Sequence, residues 1–196
     1  MARVKDFAAA ARRTEDSVVY ATLTSNGGDG PLMQDGIALF DAAHLNQLTL
    51  APLARAALDD ARQLLAAQTS PEGVPLNLKA HSLIVPVALT DRAGEILRQV
   101  GNAELPEEDR LTLTAEPRLD LVDPEGWYLA ADPDEAPVLA VFFLEGGETP
   151  VFRSKFSHMT LDLKTAVRHA FTVGFLDWRG IVRATAGSGS GSGGGP

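Results

Sequence analysis

The chain has no cysteine among its 196 residues. Disulfides, thiolate metal centres and cysteine nucleophiles are therefore excluded, and a reducing cytoplasm is the expected place of synthesis. Long apolar runs are missing as well. None approaches the ~20 residues that span a bilayer, and the stretch from Met1 to Asp6 lacks a signal peptide's apolar core. A soluble protein, not secreted by that route and with no membrane partner, is expected. Positive charge is scarce: 17 Lys and Arg stand against 26 Asp and Glu, a net charge of -9 at pH 7. Nucleic acid is bound first through phosphate neutralisation by cations, so no sequence-specific nucleic-acid partner is expected. Motifs that carry chemistry are also absent. There is no GxxxxGK[ST], no GxGxxG between a strand and a helix, no HExxH and no GxSxG elbow, so no cofactor and no small-molecule substrate are implied.

What is present suffices for one domain, since 45% of the residues are hydrophobic and a chain of this length buries a proper core. Charge is segregated along it. From Glu104 to Glu148 thirteen acidic residues accompany only Arg110 and Arg118, whereas from Val151 to Arg183 six basic residues accompany only Asp162 and Asp177. Two readings fit: solvated loops around an antiparallel sheet, or complementary surfaces on neighbouring subunits.

Periodicity places helices first. Residues 3–24 read as an alanine-rich helix with Phe7, Ala11, Thr14, Val18 and Ala21 on one face. Its start carries Arg3 and Lys5 where the helix dipole favours acids, with no capping side chain before them. The tract Ser25 to Pro31 ends it with turn chemistry. A second helix is expected over 50–69, with Thr49 as cap and Pro52 in its first turn. Leu83 to Ala88 reads as a short buried strand whose Pro86 marks an edge or an end, and Thr90 as the cap of a third helix to Val100. Beyond 105 the period falls to two. Strands are expected near 110–115, 126–131, 138–144, 151–156, 159–163, 165–176 and 180–185, the sixth placing Val167, His169, Phe171, Val173 and Phe175 on one face. The fold class that follows is α+β, helices first and then mostly antiparallel sheet. There is no internal repeat, and residues 187–196 form a flexible Gly/Ser tail.

Three patterns stand out. The run Asp35-Gly36-Ile37-Ala38-Leu39-Phe40-Asp41-Ala42-Ala43-His44-Leu45-Asn46-Gln47 places a histidine near two aspartates, which invites a metal or general-base reading, although no further ligand or nucleophile follows at a defined spacing. Local backbone hydrogen bonds by the polar residues are the alternative. The second pattern joins Ala115-Glu116-Pro117-Arg118-Leu119-Asp120 to Trp127-Tyr128-Leu129-Ala130-Ala131-Asp132-Pro133. The third is His169-Ala170-Phe171-Thr172-Val173-Gly174-Phe175-Leu176-Asp177-Trp178-Arg179-Gly180, where Asp177 with Arg179 reads as a turn ion pair. On paper Ser82 or Ser154, His169 and Asp177 compose a triad, so a small hydrolase using His169 or His44 is the enzymatic alternative. Trp127, Tyr128 and Trp178 read either as interface anchors or as sheet aromatics.

Together, in this order, the three patterns resemble the Mu-like major head subunits and the prohead protease and major capsid fusions of tailed phages. The resemblance implies the Hong Kong phage capsid fold and a structural subunit of an icosahedral head. Such a subunit assembles with copies of itself and with other head proteins. It is made in the bacterial host cytoplasm, resides in the virion capsid and has no catalytic role. Residues 3–24 would then be the end of the spine helix, and 1–186 a single capsid-like domain comprising the C-terminal portion of the subunit. Nothing before Arg3 would supply the N-terminal arm or extended loop, so a truncated subunit, a decayed prophage copy or a processed product is implied, remaining monomeric or forming small salt-sensitive oligomers rather than closed shells. The positions that carry the resemblance are Asp35, Gly36, Leu39, Phe40, His44, Asn46, Trp127, Tyr128, His169, Asp177, Trp178, Arg179 and Gly180. A cellular shell or phage connector protein sharing the fold is the remaining alternative.

Overall fold

The first helix, α1 (Ala2–Leu23), runs to within a residue of its expected end. The computed structural model of the protein describes residues 2–144, 147, 149–157 and 162–187. Most of the Gly/Ser tail and part of the expected 159–163 strand lie outside them. The face that α1 buries is not the one its periodicity selects. Ala11 and Leu23 are buried and Val19 and Tyr20 partly so, while Phe7, Thr14, Val18 and Ala21 are exposed. In an alanine-rich helix several stripes are apolar enough to pack, and the neighbours decide which one does.

Two further helices follow. The second, α2 (Arg55–Ala66), begins five residues later than expected and lacks the Thr49 cap. Pro52 explains the delay, because the residue before a proline is pushed out of the helical region. Ala51 instead donates its N–H to the Thr185 carbonyl at 2.8 Å, and Leu50 sits exposed at φ 56°. The third, α3 (Thr90–Gln99), begins at Thr90 itself, so Thr90 is not its cap, and its hydroxyl is buried without a hydrogen-bond partner among the described residues. The turn leading into α3 is capped from afar: the Asp120 carboxylate accepts the N–H groups of Val87 and Ala88 at 2.9 and 3.0 Å. Gly101, at φ 67°, stops the helix in the left-handed region that glycine favours.

The central sheet comprises β1 (Gln47–Leu48), β2 (Ala80–Val85), β3 (Thr112–Ala115), β4 (Trp127–Ala131) and the strand Ile181–Ala184, which is β9 in chain order. Their spatial order is β1-β9-β4-β2-β3, with β1 parallel to β9, β3 parallel to β2, and the two remaining pairs antiparallel. Pro86 therefore marks the end of an interior strand rather than an edge. Alternation divides the sheet's faces. Trp127, Leu129, Ala131, Val182, Ala184, Leu83 and Val85 join Leu58, Leu65 and Ile96 of α2 and α3 in the larger core. On the opposite face Tyr128 and Ile181 meet Phe40, Leu39, Leu119 and Leu23 in a second core. Trp127 and Tyr128 are thus core aromatics, 0% and 3% exposed, not interface anchors.

Two antiparallel pairs complete the fold: β5 (Leu139–Phe143) with β8 (Phe171–Phe175), and β6 (Val151–Ser157) with β7 (Asp162–Arg168). The single strand expected over 165–176 is therefore two strands with different partners, broken at His169 and Ala170. Period two continues across the break, which is why the pattern alone does not reveal it. The class is α+β, helices preceding most strands, with antiparallel pairing predominant.

Candidate functional site

After α1 the chain turns through Asn26 to Gly30 and crosses the second core. Gly28 adopts φ 102°, and a Cβ there would run into the Arg183 guanidinium. Arg183 is buried against the sheet, bonded to Asp29 at 2.8 Å, with Asp123 at 3.8 Å. These groups line a cleft of about 620 Å³ together with Gln47, Thr49 and Glu125. Neighbouring Tyr128 has its phenol pushed up to about 12, chiefly by burial; Asp123 acts in the same direction and Arg183 opposes it.

The Asp35 to Gln47 run then builds itself from local hydrogen bonds. Asp35 accepts the Ile37 N–H at 3.0 Å while Gly36 takes φ 80°. Leu39 and Phe40 enter the second core, both essentially unexposed. Asp41 accepts the Ala43 N–H at 2.8 Å and caps the short turn that presents His44. Nδ1 of His44 lies 3.1 Å from the Leu39 carbonyl, and Nε2 lies 2.9 Å from the Asp35 carboxylate. Both partners are acceptors, so both bonds form fully only when each ring nitrogen carries a proton. The His44 contact, followed by the Ile37 N–H, holds the Asp35 carboxyl below the usual carboxylate range.

The run is tied to two distant segments. Asn46, wholly buried, donates to the carbonyls of Leu39 at 2.9 Å and Trp178 at 3.2 Å. The His44 ring stacks on Trp178 with centroids 4.2 Å apart, and the Arg179 guanidinium also lies over that indole, at 4.4 Å. Arg179 is held by both Asp177 oxygens at 3.0 Å and donates to the Thr69 carbonyl at 2.7 Å. Gln68 donates to the carbonyls of His44 and Leu45 at 3.0 and 3.2 Å. At Gly180, which leads into β9, a Cβ would strike the Ala136 carbonyl. Asp35, His44, Asn46, Asp177, Trp178 and Arg179 thus converge on one knot joining three chain segments.

Sequence reasoning missed Gln68, Thr69 and Arg183. Gln68 and Thr69 follow α2 without a motif, and the Arg183 partners Asp29 and Asp123 are distant in sequence, so no local signal marks them. His169 lies apart from the knot, its ring against Phe143 at 5.5 Å and Phe171 at 5.2 Å. Both its nitrogens are buried without a hydrogen-bond partner among the described residues. The paper triad does not assemble. Ser82 sits in β2, Ser154 pairs with Thr165 in the β6–β7 hairpin, and Asp177 is engaged by Arg179. No group of three or more metal-ligating side chains occurs among the described residues. Both His44 nitrogens lie within hydrogen-bond distance of an acceptor, and the knot ties three stretches of backbone together.

A family described as phage capsid protein matches residues 1–184, taking in every helix and strand of the structure. The chain belongs to this phage capsid protein family. No curated protein matches it. In a capsid protein the knot has a mechanical meaning: it fixes how the segment after α1 and the passage from β8 to β9 sit on the central sheet.

Proposed function

We propose that the chain is a structural subunit of an icosahedral phage head, a major capsid protein that acts by self-association and without catalysis. The observation that carries this reading is the family match over residues 1–184. The order of the motifs around His44, Trp127 and Trp178 supports the subfamily of Mu-like head subunits and protease fusions. The α+β arrangement agrees with a capsid fold of the Hong Kong type. Against the hydrolase alternative stand the His44 ring, flanked by two acceptors within the knot, and the His169 ring, whose nitrogens have no hydrogen-bond partner among the described residues. Other phage head proteins are further partners on this reading, and the host cytoplasm the place of synthesis.

Negative-stain electron microscopy of the purified protein at low and high salt tests the proposal. Regular oligomers that shrink as salt rises are the expected result. A uniformly monomeric protein that hydrolyses ester or peptide substrates, with the activity abolished by His169→Ala, would replace it with the enzymatic reading.

A further inference from the structure

The β6–β7 hairpin has two unlike faces. In its register Val151 pairs with Arg168, Arg153 with Ala166 and Lys155 with Lys164, whereas Phe152 pairs with Val167 and Ser154 with Thr165. Side chains alternate along a strand, so Arg153, Lys155 and Arg168 share one face and Phe152 and Val167 the other. Among the described residues the two strands pair in a sheet only with each other, and an isolated two-stranded hairpin is marginal in water. Arg153, Lys155 and Arg168 are exposed, and no ion pair of theirs occurs among the residues whose side chains are described. At the hairpin's foot, Arg153 and Arg168 line a notch of about 400 Å³ with Leu144, Val151 and Thr149.

Elsewhere in the chain lies a surface of the opposite kind. Glu107, Glu108, Asp132 and Glu135 line a concavity of about 490 Å³ between the start of β2 and the end of β4. Its lysine, Lys79, is already engaged by Asp109 at 2.8 Å. Lys79 also feels the charges of Glu108 and Glu135, but among the described residues the one ion pair made by the four carboxylates is that of Asp132 with His81, at 4.0 Å.

Building on the self-association reading, we propose that the hairpin is an inter-subunit arm whose basic face docks on the Glu107, Glu108, Asp132 and Glu135 concavity of a second copy. The notch supplies an apolar floor from Leu144 and Val151 beside two guanidiniums, which suits a carboxylate carried on a protein surface. A polynucleotide is the other anion such a face could meet. The chain's net charge of -9 disfavours it, whereas the same charge distribution provides the acidic partner.

The test uses the full chain in two charge-reversed forms, Arg153→Glu with Arg168→Glu, and Glu107→Lys with Glu108→Lys, each checked for native circular dichroism. All four positions are exposed, so both variants fold. Sedimentation velocity at low salt should show each variant alone associating at least about tenfold more weakly than the wild type, and their equimolar mixture recovering association. A wild type that stays monomeric at every salt concentration overturns the self-association reading and this contact with it. A wild type that associates while the Arg153 and Arg168 variant associates equally well overturns the contact alone, as does a mixture that fails to recover. Unchanged self-association with lost binding of single-stranded DNA by the same variant would assign the basic face to nucleic acid instead.

Discussion

Tyr128 and Asn46 show how single side chains set the molecule's tolerances. A phenol pushed up to about 12 from its ordinary 10 releases its proton later in the folded state than in the unfolded one. Its stabilising contribution is therefore complete below pH 10 and is lost as pH rises toward 12, a total of roughly 2 to 3 kcal/mol at 1.36 kcal/mol per pKa unit. Denaturant melts from pH 9 to 12 should show this loss in the wild type and not in Tyr128→Phe. Asp35 has the opposite sign. With its carboxyl held below the usual range, it stabilises the fold above the ordinary carboxylate pKa and loses that effect as pH falls through the lowered value, so Asp35→Asn should flatten the acid limb of the stability curve. Asn46→Ala leaves the Trp178 carbonyl without its side-chain donor and should cost about 1 to 3 kcal/mol by thermal or urea melting. Chelators should leave the melting temperature unchanged; a fall of several degrees, reversed by zinc, would reinstate a metal at His44. The sequence marks the knot's own residues because Asp, Asn and His cluster within twelve positions. It gives no sign of Gln68, whose role depends only on where α2 happens to end.

Among the elements, β8 offers the sharpest contrast. Phe175 packs with the second core, yet it and Phe171 are only partly buried. Phe175→Ala should therefore cost about 2 kcal/mol, below the roughly 3 to 5 of a fully buried aromatic, Phe171→Ala less, and the exposed Thr172→Ser close to nothing. Chemical denaturation of the three variants checks the order. Residue patterns located most elements to within a few positions, because period two in 126–131 and the apolar stripe of α2 are both strong. They did not reveal the break at His169, since alternation runs through it unchanged, nor the parallel pairing of β1 with β9, which joins strands separated by most of the chain. Helical spacing at Leu50 and Leu53 points to a start near Leu50, but the backbone sterics of Pro52 delay α2 to Arg55.

For the whole molecule, the proposed contact between acidic and basic surfaces predicts association that is sensitive to ionic strength. Light scattering across a salt series should move the population toward smaller species as the Debye length falls below about 8 to 10 Å; complete shells indifferent to salt would refute the electrostatic contact. The place of β9 carries a different consequence, one of timing. This strand, Ile181–Ala184, lies between β1 and β4, yet it is the last of the sheet to leave the ribosome. At roughly 5 to 20 residues per second, the nascent chain waits on the order of ten seconds between the emergence of β1 and that of the strand it must pair with. As that interval runs, the apolar face of β2 and then that of β4 become available to wrong partners, including the same strands of neighbouring nascent chains. Expression at reduced temperature or with added chaperone should therefore raise the yield of dispersed protein more than any substitution on its surface.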